Sequence, residues 1–373
     1  MKQLQIFEQV IDRPSEYCWL LKTQTHRKII GYLCSYTPEE IIHASGALPF
    51  RIFGHADSTI RADAHLQAYC CSLARMALEQ VLSRGLDFLD GTVFSHTCDT
   101  MQRLSDIWRL NSGLALHFDV VLPSKLNSES AFRYLVDVCY QFKKDLEAAF
   151  RLKITDEQLS ESIHLYNLIR QGLQELYHVR SQHPGAISGK EMDLIMRAAM
   201  RMDREEFYQR IMDVMDHLKR EASMKCAQNF KRLILVGGVC DQPNLYGAVE
   251  QAGAAVVWDD LCVGSRYFQG LIDENADPIE AIAKRYFERV ICPAKYRDPN
   301  FRGEYLARIA REKNIHGAIF VMLKFCDPHA FDYPFLKDHL DQVGIPSLRL
   351  EIEDPQLAIG QLQTRIEAFV EML

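Results

Sequence analysis

The chain has 373 residues, 48% hydrophobic and 25% charged, so it can form a sizeable core and is expected to fold into two domains of ordinary size. A formal net charge of −7 without a Lys/Arg block excludes a nucleic-acid binder, and no stretch approaches the roughly 20 apolar residues of a membrane span. Met1–Glu8 also lacks the apolar run of a secretion signal. We therefore expect a cytoplasmic protein whose 11 cysteines are reduced, some of them as metal ligands.

The first 129 residues predict an α/β domain. Helices interrupted by Pro14 come first, and apolar runs then indicate strands at 27–33, 48–53, 89–94 and 116–122. Helices are predicted at 37–44, at 66–83 and from about Thr100. Thr37 is the predicted N-cap of the first of these, with Pro38 at the first helical position. The alternation of strands and helices indicates a parallel sheet.

The pattern changes over residues 130–225, where apolar residues recur at helical spacing with one clear interruption at 181–185. Residues 226–373 return to alternation. Strands are predicted at 232–236, 254–258, 318–322 and 347–350, and helices at 277–290, 303–313 and 355–372. The predicted fold class is α/β, with two doubly wound parallel-sheet domains, Rossmann- or flavodoxin-like, and an intervening helical segment.

Three cysteines stand where open α/β sheets bind their ligands. Cys98 and Cys326 follow predicted strands, and Cys71 lies near the start of a predicted helix. Thiolates are the usual ligands of iron–sulfur clusters, so we interpret these residues as cluster ligands. Their wide spacing also fits buried or merely reactive thiols. A zinc site would normally use a compact Cys/His motif, which the chain lacks.

Several further cysteines occupy related positions. Cys34, Cys240 and Cys262 follow predicted strands, and Cys292 precedes Pro293. They are structural thiols near the site or additional ligands, and the sequence leaves both interpretations open. Simple burial as small hydrophobic side chains is expected for the remaining candidates. These are Cys18, Cys139 and Cys226.

Acid–base candidates lie near the first predicted helix. Glu39, Glu40 and His43 share one helical face, although two acids at a helix start also stabilise the helix by themselves. His96 and His329 lie within three residues of a candidate ligand, and either ring can hold a proton or orient its loop. Two acids, Asp259 and Asp260, precede a short polar segment. We expect this loop to contact a ligand or another subunit, or to form a turn whose polar groups are satisfied.

Five sequence blocks, taken together and in one order, indicate a protein family more specifically than any one of them. They are residues 31–44, 71–75, 96–100, 258–266 and 324–327, and in this order the chain resembles the 2-hydroxyacyl-CoA dehydratase and class I benzoyl-CoA reductase family. The resemblance implies one 4Fe–4S cluster held by Cys71, Cys98 and Cys326. Cys70 is a rival to Cys71, but the Ser-x-x-Arg that follows Cys71 matches the family pattern. A branch of the family has a double cubane with six cysteines, which leaves open added ligand roles for Cys34, Cys262 and Cys292.

The resemblance also implies a function. The chain is expected to be the smaller iron–sulfur catalytic subunit of a benzoyl-CoA reductase-like enzyme. Its partners would be a related larger subunit or a second copy, an ATP-hydrolysing iron–sulfur activator, and an acyl-CoA substrate. The alternatives are a subunit of an (R)-2-hydroxyacyl-CoA dehydratase and a double-cubane reductase of small molecules. Neither a P-loop nor a GxGxxG motif is present, so no ATP or nicotinamide site is expected in the chain itself.

Overall fold

A computed structural model describes residues 2–222, 230–239, 243–353 and 359–373. Within these ranges the strands are Ile29–Tyr32 (β1), Leu48–Arg51 (β2), Gly91–Phe94 (β3), Leu116–Asp119 (β4), Lys231–Gly237 (β5), Ala254–Asp260 (β6), Gly317–Leu323 (β7) and Ser347–Ile352 (β8). The α-helices are Gln5–Asp12 (α1), Pro14–Thr25 (α2), Glu39–Ala44 (α3), Ser72–Leu82 (α4), Asp99–Asn111 (α5), Glu129–Phe150 (α6), Asp156–Gln182 (α7), Gly189–Ala199 (α8), Arg204–Ala222 (α9), Pro243–Gln251 (α10), Ser265–Phe268 (α11), Pro278–Glu288 (α12), Phe301–Glu312 (α13), Asp327–Gln342 (α14) and Ile359–Glu371 (α15). None of these helices is both long and apolar enough to cross a bilayer.

The strands form two parallel four-stranded sheets with the orders β2-β1-β3-β4 and β6-β5-β7-β8. In the first sheet, Ile30 of β1 is in register with Pro49 on one side and Gly91 on the other. The strand order reverses between β1 and β3, and again between β5 and β7. At such a point the connections leave in opposite directions and open a crevice at the carboxyl ends of the strands. The predicted fold class is confirmed.

Alternate residues of each strand face opposite cores. In the first sheet, Ile30 and Val93 pack with α3, α6 and α12, whereas Ile29 and Phe94 pack with α4 and α5. The second sheet is covered in the same way. Helices α13 and α14 lie on one face, and α8, α9, α10 and α15 lie on the other. Both sheets are therefore buried on both faces, as their near-continuous apolar runs require.

The cores are shared between distant parts of the chain. Phe7 of α1 packs in the core of the second sheet, and Ile282 of α12 packs in a core of the first. Helix α7 contributes side chains to both. The division into 1–129, 130–225 and 226–373 stays a prediction, because packing crosses each of these boundaries.

Helix starts differ most from their predicted positions. The helix expected to carry Cys71 within its first turns begins only at Ser72, because Cys71 has extended backbone with φ −61° and ψ 151°. Thr37 does not cap α3, which follows Pro38 without a side-chain cap. Instead the Thr37 hydroxyl pairs with the Ser95 hydroxyl at 2.9 Å and ties α3 to the end of β3.

The central helical segment has three breaks between described helices, where the apolar spacing predicted one. The first break begins at Arg151, which takes the left-handed conformation with φ +55°. It ends at Thr155, whose side chain forms a capping box with Gln158. The second break coincides with the predicted interruption. The sequence does not predict the first and third breaks, because they contain neither Gly nor Pro and are defined by helix caps instead.

Candidate functional site

Cys71, Cys98 and Cys326 occupy equivalent positions. Each is the N-cap residue of a helix, Cys71 of α4, Cys98 of α5 and Cys326 of α14. The helices start at the carboxyl ends of the two sheets, so the caps bring thiols from distant sequence positions to one side of the molecule. All three line one cleft of about 1030 Å³. The structure thus brings together the three residues that the sequence singled out.

Burial controls the chemistry of these thiols. It raises the pKa of Cys98 to about 12, and the neighbouring Cys71 and Cys34 add to that rise. Burial also raises the pKa of Cys326, with further contributions from Cys71 and Cys98. Cys326 responds to both other thiols and Cys98 responds to Cys71, so the three lie within electrostatic range of one another. As free thiols they keep their protons at neutral pH, and binding to metal would replace those protons.

The helix starts partly offset this burial. In each case the amide N–H three residues on is directed toward the sulfur and lowers its pKa, although no complete cap hydrogen bond forms. These amides belong to Ala74, Met101 and His329. A helix N-terminus carries partial positive charge and stabilises an anion. Three such termini around one cleft favour a negatively charged group within it.

Cys70 also lines the cleft, but its surroundings differ from those of Cys71. Its sulfur lies 4.0 Å from the Gln67 side-chain oxygen. Arg75 and Asp99 are the charged groups that act on it. Cys71, in contrast, interacts with Cys98 and Cys326. The geometry favours Cys71 as the third member of the group.

Cys34, Cys262 and Cys292 form a second group beside the first. A hydrogen bond from Cys292 lowers the pKa of Cys262 well below its ordinary value, helped by Arg266 and Arg51 and opposed by burial. Cys34 interacts with both Cys292 and Cys98, which connects the two groups. Cys240 and Cys226 lie outside the described residues. Cys18 and Cys139 are buried, as expected.

The thiols of the cleft are chemically suited to iron–sulfur ligation, since thiolates are the usual ligands of such clusters. Among the described residues, no group of three or more His, Cys, Asp or Glu side chains could hold one metal ion. A 4Fe–4S cluster instead takes one thiolate on each iron, so its ligands surround a cluster and need not converge on one point. Cys71, Cys98 and Cys326 on the wall of one cleft could fill three of the four iron positions.

Two basic residues near the thiols were not among the predicted site residues. Lys295 is 5% exposed, and its ammonium donates to the Leu122 carbonyl at 3.2 Å. Burial lowers its pKa, against the opposing effect of Cys34, Cys292 and Cys98. No sequence pattern predicts this position, because it depends on the pairing of the 125 and 296 segments.

The second residue is Arg51 at the end of β2. It is 2% exposed, and its Nε and Nη1 have no hydrogen-bond partner among the described residues. Its guanidinium lies 5.3 Å from the Tyr32 ring centroid and lowers the pKa of Cys262. A buried cation with unused donors requires a nearby negative charge.

The predicted acid–base residues lie apart from the cleft. Glu39 pairs with Arg204 at 2.8 Å, and Glu40 forms a buried ion pair with Arg170. Burial alone would raise the pKa of Glu40, but Arg170 and Arg285 outweigh it and hold that pKa below its ordinary value. These contacts are structural. A proton-transfer role for either acid stays a prediction.

Two of the three predicted histidines, His43 and His96, have polar partners away from the thiols. His43 lies 3.0 Å from the Ser162 hydroxyl and 3.2 Å from a Glu205 oxygen. His96, two residues before Cys98, lies 2.7 Å from an Asp119 oxygen. Neither ring lines the cleft, so their assignment as catalytic residues also stays a prediction.

The loop after β6 is a satisfied turn. Asp259 accepts from the Ser265 amide at 2.7 Å and from the Tyr177 hydroxyl. Burial raises the pKa of Asp259 to about 6. Asp260 pairs with Arg266 and Arg302 at 3.1 and 2.7 Å. Both aspartates of this turn therefore have partners, whereas Arg266 Nη1 has none among the described residues.

Two parallel sheets and three helices that begin after a cysteine define the class as a two-sheet α/β protein with a thiol-lined cleft. A model of the 2-hydroxyglutaryl-CoA dehydratase D-component family matches residues 34–373, and the chain belongs to this family. The resemblance inferred from the five sequence blocks is thereby confirmed.

Curated relatives match along nearly their whole length. The (R)-phenyllactyl-CoA dehydratase beta subunit of Clostridium sporogenes is 29% identical over 370 residues, covering 98% of this chain and 97% of the relative. A benzoyl-CoA reductase subunit of Thauera aromatica is 31% identical over 345 residues, covering 90% and 88%. The (R)-2-hydroxyglutaryl-CoA dehydratase beta subunit of Acidaminococcus fermentans is 27% identical over 377 residues, covering 98% of each. The chain is thus an enzyme subunit of a family that contains both reductases and dehydratases.

Proposed function

We propose that the chain is the iron–sulfur catalytic subunit of an ATP-dependent benzoyl-CoA reductase-like enzyme. The observation that carries this proposal is the convergence of three helix-capping thiols, Cys71, Cys98 and Cys326, on one cleft. When bound, a 4Fe–4S cluster supplies single electrons of low potential, here for an acyl-CoA thioester.

The chain's own residues prepare the cleft for an anionic group. The three cysteines provide ligands, and the helix amides behind them offset negative charge on sulfur. Lys295 supplies a buried positive charge near Cys98. Because hydrogen bonds and burial set the potential of such clusters, these groups would adjust it from the protein side.

Partners are part of the proposal. The relatives are all named as subunits of larger enzymes, which supports a related larger subunit or a second copy as partner. Exposed aromatic side chains surround the cleft and offer an apolar contact surface. They are Tyr69, Tyr296, Phe325, Phe331 and Phe335. An ATP-hydrolysing iron–sulfur activator and an acyl-CoA substrate complete the proposed system, in the cytoplasm.

The close alternative is a subunit of an (R)-2-hydroxyacyl-CoA dehydratase, which would make the enzyme a lyase. The family description and two of the relatives named above favour it. The same cleft and ligand set would serve either reaction. Assays with the activator, ATP and a co-purified partner separate them, because benzoyl-CoA reports reduction and an (R)-2-hydroxyacyl-CoA reports dehydration.

A double-cubane reductase of small molecules is favoured by a different observation. Cys34, Cys262 and Cys292 lie beside the first three thiols, and the buried Arg51 has unused donors near Cys262. Six cysteines around one region could hold two joined 4Fe–4S units. The unpaired guanidinium would then face the additional negative charge.

The first test is iron and acid-labile sulfide per chain after anaerobic purification, with an EPR spectrum of the reduced protein. About four of each would support one cluster, and about eight would favour the double cubane. Cys98→Ala is expected to lose most of its iron while its circular dichroism is unchanged. An iron-free wild-type protein would refute the electron-transfer function.

A further inference from the structure

His329 is the side chain nearest to a proposed ligand sulfur. Its Nδ1 lies 3.2 Å from Cys326 Sγ. Cys326 caps α14 and His329 is the third residue of that helix, so the ring folds back onto the N-cap residue. The spacing is that of a capping box, in which the third helical side chain reaches back to the N-cap. Here the partner is a sulfur.

The ring is held in a closed environment. Its Nε2 is buried and has no hydrogen-bond partner among the described residues. On one side lies Gly238, where an added Cβ would stand 3.1 Å from the ring carbon Cε1. Gly238 therefore leaves the space that the ring fills. Cys326 is the side-chain partner of the ring within the described ranges, and the backbone of Gly237 also acts on the ring.

The chemistry of the sulfur determines the direction of that bond. A metal-bound thiolate has no proton and can only accept, so the imidazole must carry its proton on Nδ1. This holds whether the ring is neutral or cationic, since both the Nδ1–H tautomer and the imidazolium have that N–H. The bond thus does not depend on the titration of His329.

We propose that His329 is a positioning residue that donates an N–H···S hydrogen bond to Cys326 and thereby raises the reduction potential of the cluster bound there. The inference rests on the proposed function, because it takes Cys326 as a ligand. A hydrogen bond to a ligand sulfur draws negative charge from it and favours the more negative, reduced state. A purely structural histidine would fill the space beside Gly238 without changing the potential.

Three variants separate these roles. His329→Phe keeps a ring of similar size but removes the donor. His329→Asn retains an amide N–H near the position of Nδ1 and is the conservative replacement. His339→Asn is the matched control, because His339 lies on the same helix and bonds to the Phe335 carbonyl at 2.8 Å, outside the cleft. Each anaerobically purified protein is measured for iron content and, by EPR-monitored redox titration, for midpoint potential.

We expect His329→Phe to retain its iron and to shift the midpoint potential to more negative values. His329→Asn should recover most of that shift, and His339→Asn should match the wild type. If His329→Phe loses its iron while His329→Asn keeps it, the donor role is also supported. An unchanged potential in His329→Phe with full iron overturns the inference, as does equal iron loss or an equal shift in His329→Phe and His329→Asn. These results leave the proposed function intact, whereas an iron-free wild type overturns both.

Discussion

At the scale of single residues, buried ion pairs connect the first sheet to the central helices. Glu39 and Glu40 start α3 directly after the loop from β1, and their partners Arg204 and Arg170 come from α9 and α7. The carboxylates therefore fasten the first sheet to the central helices. Removing one partner of a buried pair leaves an uncompensated charge, which is costly.

Glu40→Gln keeps the shape of the side chain and removes its charge. We expect it to lower the free energy of unfolding by about 3 kcal/mol, because Arg170 remains buried without a counter-charge. Denaturant unfolding followed by circular dichroism measures the change. The control is Glu129→Gln, whose exposed pair with Arg133 should change stability by less than about 1 kcal/mol. Equal effects of the two variants would contradict this prediction.

The same pair gives a pH dependence with a definite sign. The pKa of Glu40 in the folded chain is held below its ordinary value of 4.5, so the carboxylate contributes its stability above that pH. This contribution disappears as the pH falls through the lowered pKa. The stability difference between wild type and Glu40→Gln should therefore shrink below about pH 4.5. Unfolding curves at a series of pH values check this, and a difference that grew on acidification would contradict it.

Cys70 and Cys71 provide a comparison between neighbouring residues. Only Cys71 interacts with both Cys98 and Cys326 among the described thiols of the cleft. Cys71→Ala should therefore lose most of the bound iron, whereas Cys70→Ala should retain it. Iron and sulfide per chain give the result. Retention of iron by Cys71→Ala together with its loss by Cys70→Ala would reverse the assignment.

At the scale of elements, close strand pairing determines which residue can end β5. Gly237 ends β5 opposite Val321 of β7, and an added Cβ would stand 2.2 Å from the Val321 carbonyl oxygen. Gly237→Ala should lower the free energy of unfolding by about 3 kcal/mol through overpacking. Gly247→Ala is the control, because Gly247 lies inside α10 with open space around it. That variant should gain about 1 kcal/mol from helix propensity.

Both glycine variants are measured by denaturant unfolding under the same conditions. Opposite signs are expected, since one substitution meets a fixed backbone atom and the other meets nothing within 4 Å. A destabilised Gly247→Ala, or a neutral Gly237→Ala, would contradict the strand-pairing argument.

The local sequence predicts the helices and strands better than it predicts which distant residues contact each other. Apolar runs are enough to predict both sheets, because a parallel strand buried on both faces has a distinctive composition. Cys98 and Cys326, which follow two of these runs, line the cleft. The role of Glu40 is not visible locally, since its arginine lies 130 residues away. Nor does any cap residue of the usual type mark Cys71, so the sequence predicts too early a start for its helix. Lys295 joins the site only through the pairing of distant segments.

At the scale of the whole molecule, buried hydrogen bonds join the N-terminal and C-terminal halves of the chain. The Tyr286 hydroxyl donates to the Thr37 carbonyl at 2.7 Å, and Arg289 donates to the Ser35 carbonyl at 2.9 Å. Arg201 donates to the Arg51 carbonyl at 3.1 Å. Because these contacts satisfy backbone groups beside the cleft, the halves are expected to unfold together.

Two tryptophans can report on the two halves separately. Trp108 lies in α5 beside the first sheet, and Trp258 lies in β6 of the second. In variants that lack Trp19, the third tryptophan, and keep only one of these two, each fluorescence midpoint should coincide with that variant's own circular dichroism midpoint, as in a single cooperative transition. A fluorescence midpoint well separated from the circular dichroism midpoint would indicate independent units.

The shared cores also impose an order on biosynthesis. Ile282 of α12 completes a core of the first sheet, and the third proposed ligand, Cys326, follows still later in the chain. At roughly 5–20 residues per second, a ribosome needs tens of seconds to pass from Cys98 to Cys326. During that interval two of the three thiols stand ready beside an unfinished core. Synthesis of the stretch between Cys98 and Cys326 is therefore the period in which these two thiols lack the third ligand and the completed core around them.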